Sequence, residues 1–205
     1  MNSSCNRRVF LGGAAAVLGT GLCAASRSLA QEGAKAADLG PKAVRFRDEI
    51  EPIVRWIEET PRERILDVAV ERMKAGLSYR ELMSGVFLAG IRNIQPRPVG
   101  FKFHAVLVVH SAHLVGQTAP VDEWLLPMLW ALDEFKSSQE RDVREGDWTL
   151  APVDNARLPH ADEAKSLFQR AMEEWDPQTA DVAITSLCRS RGGTEVMETI
   201  WPLSL

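Results

Sequence analysis

From Val44 onward the apolar positions recur mostly at steps of three and four residues, the spacing of one face of an α-helix. Val44, Phe46, Ile50, Ile53, Val54 and Ile57 open the series, with Pro52 predicted to kink or split that helix. Thr60-Pro61-Arg62-Glu63 has the form of a capping box with proline at the first helical position, and predicts a helix through Met73 stopped by Gly76. Ser78-Tyr79-Arg80-Glu81 repeats the box and opens a helix to about Asn93. The run Gln95-Pro96-Arg97-Pro98-Val99-Gly100 reads as a connecting loop.

Phe103 to Val115 is the most apolar stretch after residue 30. Its β-branched part, Ala105 to Val109, has the composition of a strand, but helical patterns flank it on both sides and it is read as helix. Apolar nearly all round, this helix is expected to be central. Val121 to Arg144 is a further helical region, with Pro120 at its start and a kink expected at Pro127. A loop from Gly146 to Pro159 follows. Asp162 is read as the cap of a helix ending near Trp175, Asp176-Pro177 as the start of one to about Arg191, and Thr194 as the cap of a last one to Trp201. No fixed-period repeat, glycine-rich phosphate loop or alternating strand set interrupts this order. The fold class is therefore all-α, an irregular bundle of about six to eight helices.

Composition changes the picture only at the N-terminus. The 205 residues are 45% hydrophobic and 25% charged, with formal charge -4, as in ordinary globular chains. The first thirty residues contain no acid. Arg7-Arg8 precede a Gly- and Ala-rich apolar run from Val9 to Ala25, then Arg27 and Ser28-Leu29-Ala30. That is the charged, apolar, small-residue order of a secretory signal. Asn6-Arg7-Arg8-Val9-Phe10-Leu11 resembles the twin-arginine (Tat) export signal, which implies the Tat translocase as a partner and Arg7, Arg8, Phe10 and Leu11 as the residues it reads. Cleavage is expected after Ala30, giving a periplasmic or secreted protein; an uncleaved signal would leave it membrane-anchored. The organisation is then a signal peptide at 1–30, a polar linker at 31–42 and one all-helical domain at 43–205.

Three of the 24 basic side chains and none of the 28 acidic ones lie in the signal, so the remainder carries -7. Such a domain has no generic attraction to nucleic acid. Cys5 and Cys23 also leave with the signal, so Cys188 has no internal disulfide partner. Six tryptophans, Trp56, Trp124, Trp130, Trp148, Trp175 and Trp201, are expected mainly as packing anchors between helices.

The candidate chemistry gathers around the apolar helix. His110 and His113, at i and i+3, share a face, whereas His104 lies about 180° from His113. Histidines on one face of a central helix are how bundles build metal or cofactor sites, so this pair is the candidate ligand set for a transition metal or haem. Glu71, Glu81, Asp133 and Glu134 are the carboxylates that other helices could add. Arg92 and Arg97, with Lys102, surround the preceding loop and are the candidate receivers of an anionic substrate group.

The block Ala89-Gly90-Ile91-Arg92-Asn93-Ile94-Gln95-Pro96-Arg97-Pro98-Val99-Gly100-Phe101-Lys102-Phe103-His104 resembles a segment of Tat-exported bacterial proteins of unassigned function. More distantly, histidines within apolar helices resemble the questin-oxidase-like family, which implies Baeyer–Villiger-type oxidation but no particular residue here. The expectations are thus an exported helical protein with a histidine-based redox site, a metal- or cofactor-dependent oxidoreductase; or a non-enzymatic helical binding or assembly protein; or a shortened, inactive relative of a longer enzyme. The third comes from Pro202-Leu203-Ser204-Leu205, which follows an amphipathic helix with no polar tail and suggests a homo-oligomer covering an apolar C-terminal face.

Overall fold

In the computed structural model, which describes residues 43–97 and 100–203, helix α1 begins at Glu51. Pro52 sits in its first turn, where a missing N–H leaves no intrahelical bond unmade, so the proline starts the helix instead of kinking it. The expected helix upstream is absent. Val44 N donates to Leu150 O at 2.9 Å and Leu150 N to Arg92 O at 2.8 Å, tying that segment across the fold. Thr60 caps nothing downstream; its hydroxyl donates back to Trp56 O, and α2 (Arg62–Lys74) starts after Pro61 without a side-chain cap.

Helix α3 (Tyr79–Asn93) carries the capping box in full: Glu81 N donates to Ser78 Oγ at 3.2 Å and Ser78 N to Glu81 Oε2 at 2.8 Å. The helical reading of the β-branched stretch holds, as α4 (His104–Thr118) follows a short 3₁₀ turn. Helix α5 (Leu126–Glu145) begins with Pro127 in its first turn, so again the expected kink is a start. Gly146 ends it at φ +145°, a conformation costly for any side chain. Helices α6 (Ala161–Glu173), α7 (Pro177–Ser190) and α8 (Gly193–Ile200) complete the order. Asp176 caps α7 by accepting from Thr179 N at 3.1 Å. Gly192, not Thr194, occupies the cap of α8, and Asp162 lies within the first turn of α6.

The described residues are all-helical, with eight α-helices and no strand. Helices α1 to α5 close around one core in which Ile57, Ile65, Leu82, Val86, Leu132 and Phe135 are fully buried. Within it α3 packs on α1, α4 and α5, and α5 also takes α2 and α4. Helices α6 to α8 build a smaller core around Phe168, Ala171, Ala180 and Ala183. Arg97 reaches from the loop after α3 to Asp181 of α7 at 3.1 Å and links the two groups. No described helix is long and apolar enough to cross a membrane. The signal and linker of residues 1–42, with Arg7, Arg8, Phe10, Leu11 and Ala30, lie outside the described residues.

The tryptophans depart from expectation. Trp56 is buried, but Trp130, Trp175 and Trp201 are 54%, 91% and 62% exposed. They lie on helix ends and outer faces, where burial requires a neighbour that the two small cores do not supply.

Candidate functional site

Helix α4 contains no Asp, Glu, Lys or Arg in its fifteen residues. Ala105, Val106, Val109 and Ala112 face inward and are buried. The opposite side is open: Leu107, Leu114 and Val115 are 58%, 49% and 55% exposed. The expectation of a helix buried all round is thus corrected. A five-helix core of this size covers only one side of α4.

His110 lies on the exposed side, and His113 is half-buried at its edge. Both ring nitrogens of His113 are engaged. Nδ1 shares a hydrogen bond of 3.2 Å with the Tyr79 hydroxyl, and the Gln117 amide nitrogen donates to Nε2 at 3.0 Å. The Tyr79 ring also packs on Trp124, with centroids 5.1 Å apart, and burial raises the Tyr79 pKa above its ordinary value. A metal on His113 would displace one of these partners. Among the described residues no three His, Cys, Asp or Glu side chains gather as a metal-holding group. Asp133 is tied instead to Arg62 by two hydrogen bonds of 2.9 and 2.8 Å, and Arg62 holds its carboxyl below the usual carboxylate range. Glu81 is held by its capping bonds, which lower its pKa. Cys188 is exposed and in no disulfide.

The three cations around the loop do not converge. Arg92 is fully buried and forms a two-pronged bond to Glu58, Nε to Oε1 and Nη2 to Oε2, both 2.8 Å. Its Nη1 donates to both Glu51 oxygens at 2.7 and 2.9 Å and to Val44 O at 3.1 Å, and the guanidinium lies 4.9 Å from the Phe46 ring. At least four of its five N–H donors are thus used and the side chain is fully buried, so the guanidinium is not open to an external anion. Lys102 bonds Asp142 and Glu145, both at 2.8 Å, and these hydrogen bonds raise its pKa. Asp142, itself buried, also accepts from Gln95 N and Trp148 N at 3.0 and 2.7 Å. Arg97 is exposed and faces Asp181. Each cation pairs with acids in a different part of the fold.

A surface cleft of about 410 Å³ lies between α1, α2 and α5, lined by Glu58, Arg62, Lys136, Gln139, Glu140 and Arg144. Lys136 is 4% exposed, and burial lowers its pKa to about 8. Its ammonium donates to Ile57 O, Glu58 O and Gln139 Oε1, so all three donors are used. Two of those acceptors are last-turn carbonyls of α1, so Lys136 caps that helix. Sequence reading missed this role. A lysine one turn beyond Leu132 on an apolar helix face was the available signal.

The comparisons with known proteins add no relative: no family model, curated protein or solved structure matches this chain.

Proposed function

We propose that the chain is an exported, non-enzymatic helical binding or assembly protein, carried by the Tat route, whose docking surface is the uncharged outer face of α4. The observation that supports this reading is the exposure of Leu107, Leu114 and Val115 on a helix with no charged residue. A wet helix face ordinarily carries charge, and contiguous exposed apolar surface marks interaction sites. Three buried or half-buried polar side chains of the fold are engaged internally: Arg92 by Glu51 and Glu58, Lys136 by carbonyl oxygens, His113 by Tyr79 and Gln117.

Photo-crosslinking in the cell tests the reading. A photoreactive residue in place of Leu107 or Leu114 is expected to capture a protein, whereas one in place of exposed Lys74 on α2 is not. Absence of any adduct at both α4 positions sinks it. So does metal bound at about one ion per chain and lost in His110→Ala, His113→Ala, since a stoichiometric site would make α4 a ligand helix. For export, Arg7→Lys with Arg8→Lys is expected to hold the precursor in the cytoplasm; unimpaired export of that variant refutes the route.

A further inference from the structure

We infer that Lys136, on the wall of the cleft between α1, α2 and α5, is a covalent capture site for a small polar carbonyl compound, an aldehyde or ketone that it holds as an imine. The α4 face takes no part in it.

The cleft, about 410 Å³, is of small-ligand size. Lys136 is the only lysine on its wall, and one of six in the chain. Lysines drawn into a fold ordinarily pair with acids, as Lys102 does with Asp142 and Glu145. Lys136 instead bonds neutral oxygens: Ile57 O at 3.1 Å, Glu58 O at 2.9 Å and Gln139 Oε1 at 2.5 Å. Without an ion pair the ammonium gives up its proton more readily. Burial brings its pKa down to about 8, against the pull of Glu58, Glu140 and Glu63. A desolvated lysine amine beside a cleft is a nucleophile near neutral pH.

The same three acceptors give the amine a direction. Two are backbone carbonyls at the end of α1, held by that helix. The third belongs to a side-chain amide that itself lines the cleft. A neutral amine has two hydrogens and one lone pair. With both hydrogens kept on the α1 carbonyls, the lone pair points at Gln139 Oε1, which can then accept nothing and turns aside. Lys136 is 4% exposed, so that movement is what admits a carbonyl carbon.

The lone pair of Nζ forms the C–N bond while the C=O pair moves onto oxygen. Both amine hydrogens end on that oxygen, which leaves as water, and a C=N bond remains. No oxidant or reductant takes part. Glu63 and Glu140, on the same wall, are the carboxylates placed to relay the protons. Pro61 and Val143 aside, the wall is polar and carries both signs of charge. Hydroxyl groups donate to carboxylates and accept from guanidinium, so they suit Glu63, Glu140 and Arg144 better than an alkyl chain does.

The test is reductive trapping. The purified full chain is incubated with glycolaldehyde and cyanoborohydride at about pH 8, and peptide mass mapping gives the initial rate at each lysine. At that pH about half of Lys136 is free amine, against roughly one part in 250 of an ordinary lysine. Lys136 is expected to react at least about tenfold faster than the exposed Lys74 and Lys165, and the ratio to fall to about one in urea. A smaller ratio in the folded chain overturns the inference, as does a ratio that survives unfolding. Gln139→Ala leaves both α1 carbonyls in place and should raise the Lys136 rate by about threefold or more, the worth of one hydrogen bond. An unchanged or lower rate overturns the path past Gln139. Propanal has a methyl group where glycolaldehyde has its hydroxyl, and should give a lower ratio of Lys136 to Lys74. An equal or higher ratio overturns the polar class of ligand.

Discussion

Arg92 shows how a residue's role is set by distance along the chain. Its partners Glu51 and Glu58 lie 41 and 34 residues upstream, one side of α1 closing on the end of α3. Removing the guanidinium leaves two nearly buried carboxylates unpaired, so Arg92→Met should destabilise the fold by about 3–5 kcal/mol, read as a lower urea midpoint. Arg92→Lys keeps the charge but not the two-pronged bond and should fall between. The neighbouring sequence held no sign of this. An arginine in the last turn of a helix, before a proline loop, looks like a helix-end cation or an anion receiver whatever it meets later in space.

Lys136 gives a residue-scale prediction in pH. Burial lowers its folded pKa to about 8, while the unfolded chain keeps the ordinary lysine value near 10.4. Below pH 8 both states are protonated. Between about pH 8 and 10.4 the unfolded state binds more protons, so this group's effect on stability rises with pH, by roughly 3 kcal/mol over the whole window. Tyr79 and Lys102 are shifted upward, so their losses of stability come above about pH 10 and leave the lower part of the window clear. Urea midpoints at three pH values from 7.5 to 9.5 should climb in the wild type and stay flat in Lys136→Met. A flat wild-type profile would remove the buried ammonium from the account.

Among the elements, the caps of α3 and α7 were legible because both halves of each signal sit within four residues: Ser78 with Glu81, Asp176 with Thr179. Pro52 and Pro127 were misread because apolar residues continue the helical period upstream of each. Both prolines instead serve as first-turn residues, and upstream of Pro52 the chain is also drawn off where Val44 pairs with Leu150. The glycines divide by the space around them. Gly116 faces a backbone carbonyl at 2.6 Å, which no rotamer change can move. Gly116→Ala should therefore cost about 1–3 kcal/mol and lower the melting temperature. Gly193, in the first turn of α8, has nothing within 4 Å of an added Cβ. Gly193→Ala should raise stability by about 0.4–1 kcal/mol by restricting the unfolded chain. Equal effects at the two sites would mean that contact does not govern them.

Over the whole molecule, periodicity conveyed the helical class and most element positions, because a period of three to four is local. It did not convey which side of α4 faces water, since an apolar stretch reads alike whether covered by its own domain or by another chain. Nor did it convey the division into two cores. Helices α1 to α5 bury a broad set of large side chains around Leu132 and Phe135, whereas α6 to α8 bury chiefly Phe168, Leu187 and small alanines. Local opening follows buried apolar contact, so α6 to α8 should open at lower free energy than the rest. Native-state hydrogen exchange is the measurement: amides of Ala183 and Leu187 should exchange through openings that leave those of Leu132 and Phe135 protected. The Arg97–Asp181 pair is more than half exposed on both sides, and a surface ion pair is worth about 1 kcal/mol or less. Arg97→Ala should accordingly move the opening of α7 only slightly, and leave the exchange of α5 unchanged. If all four amides exchange together, in one cooperative step, then the two cores are energetically one and contacts other than this ion pair couple them.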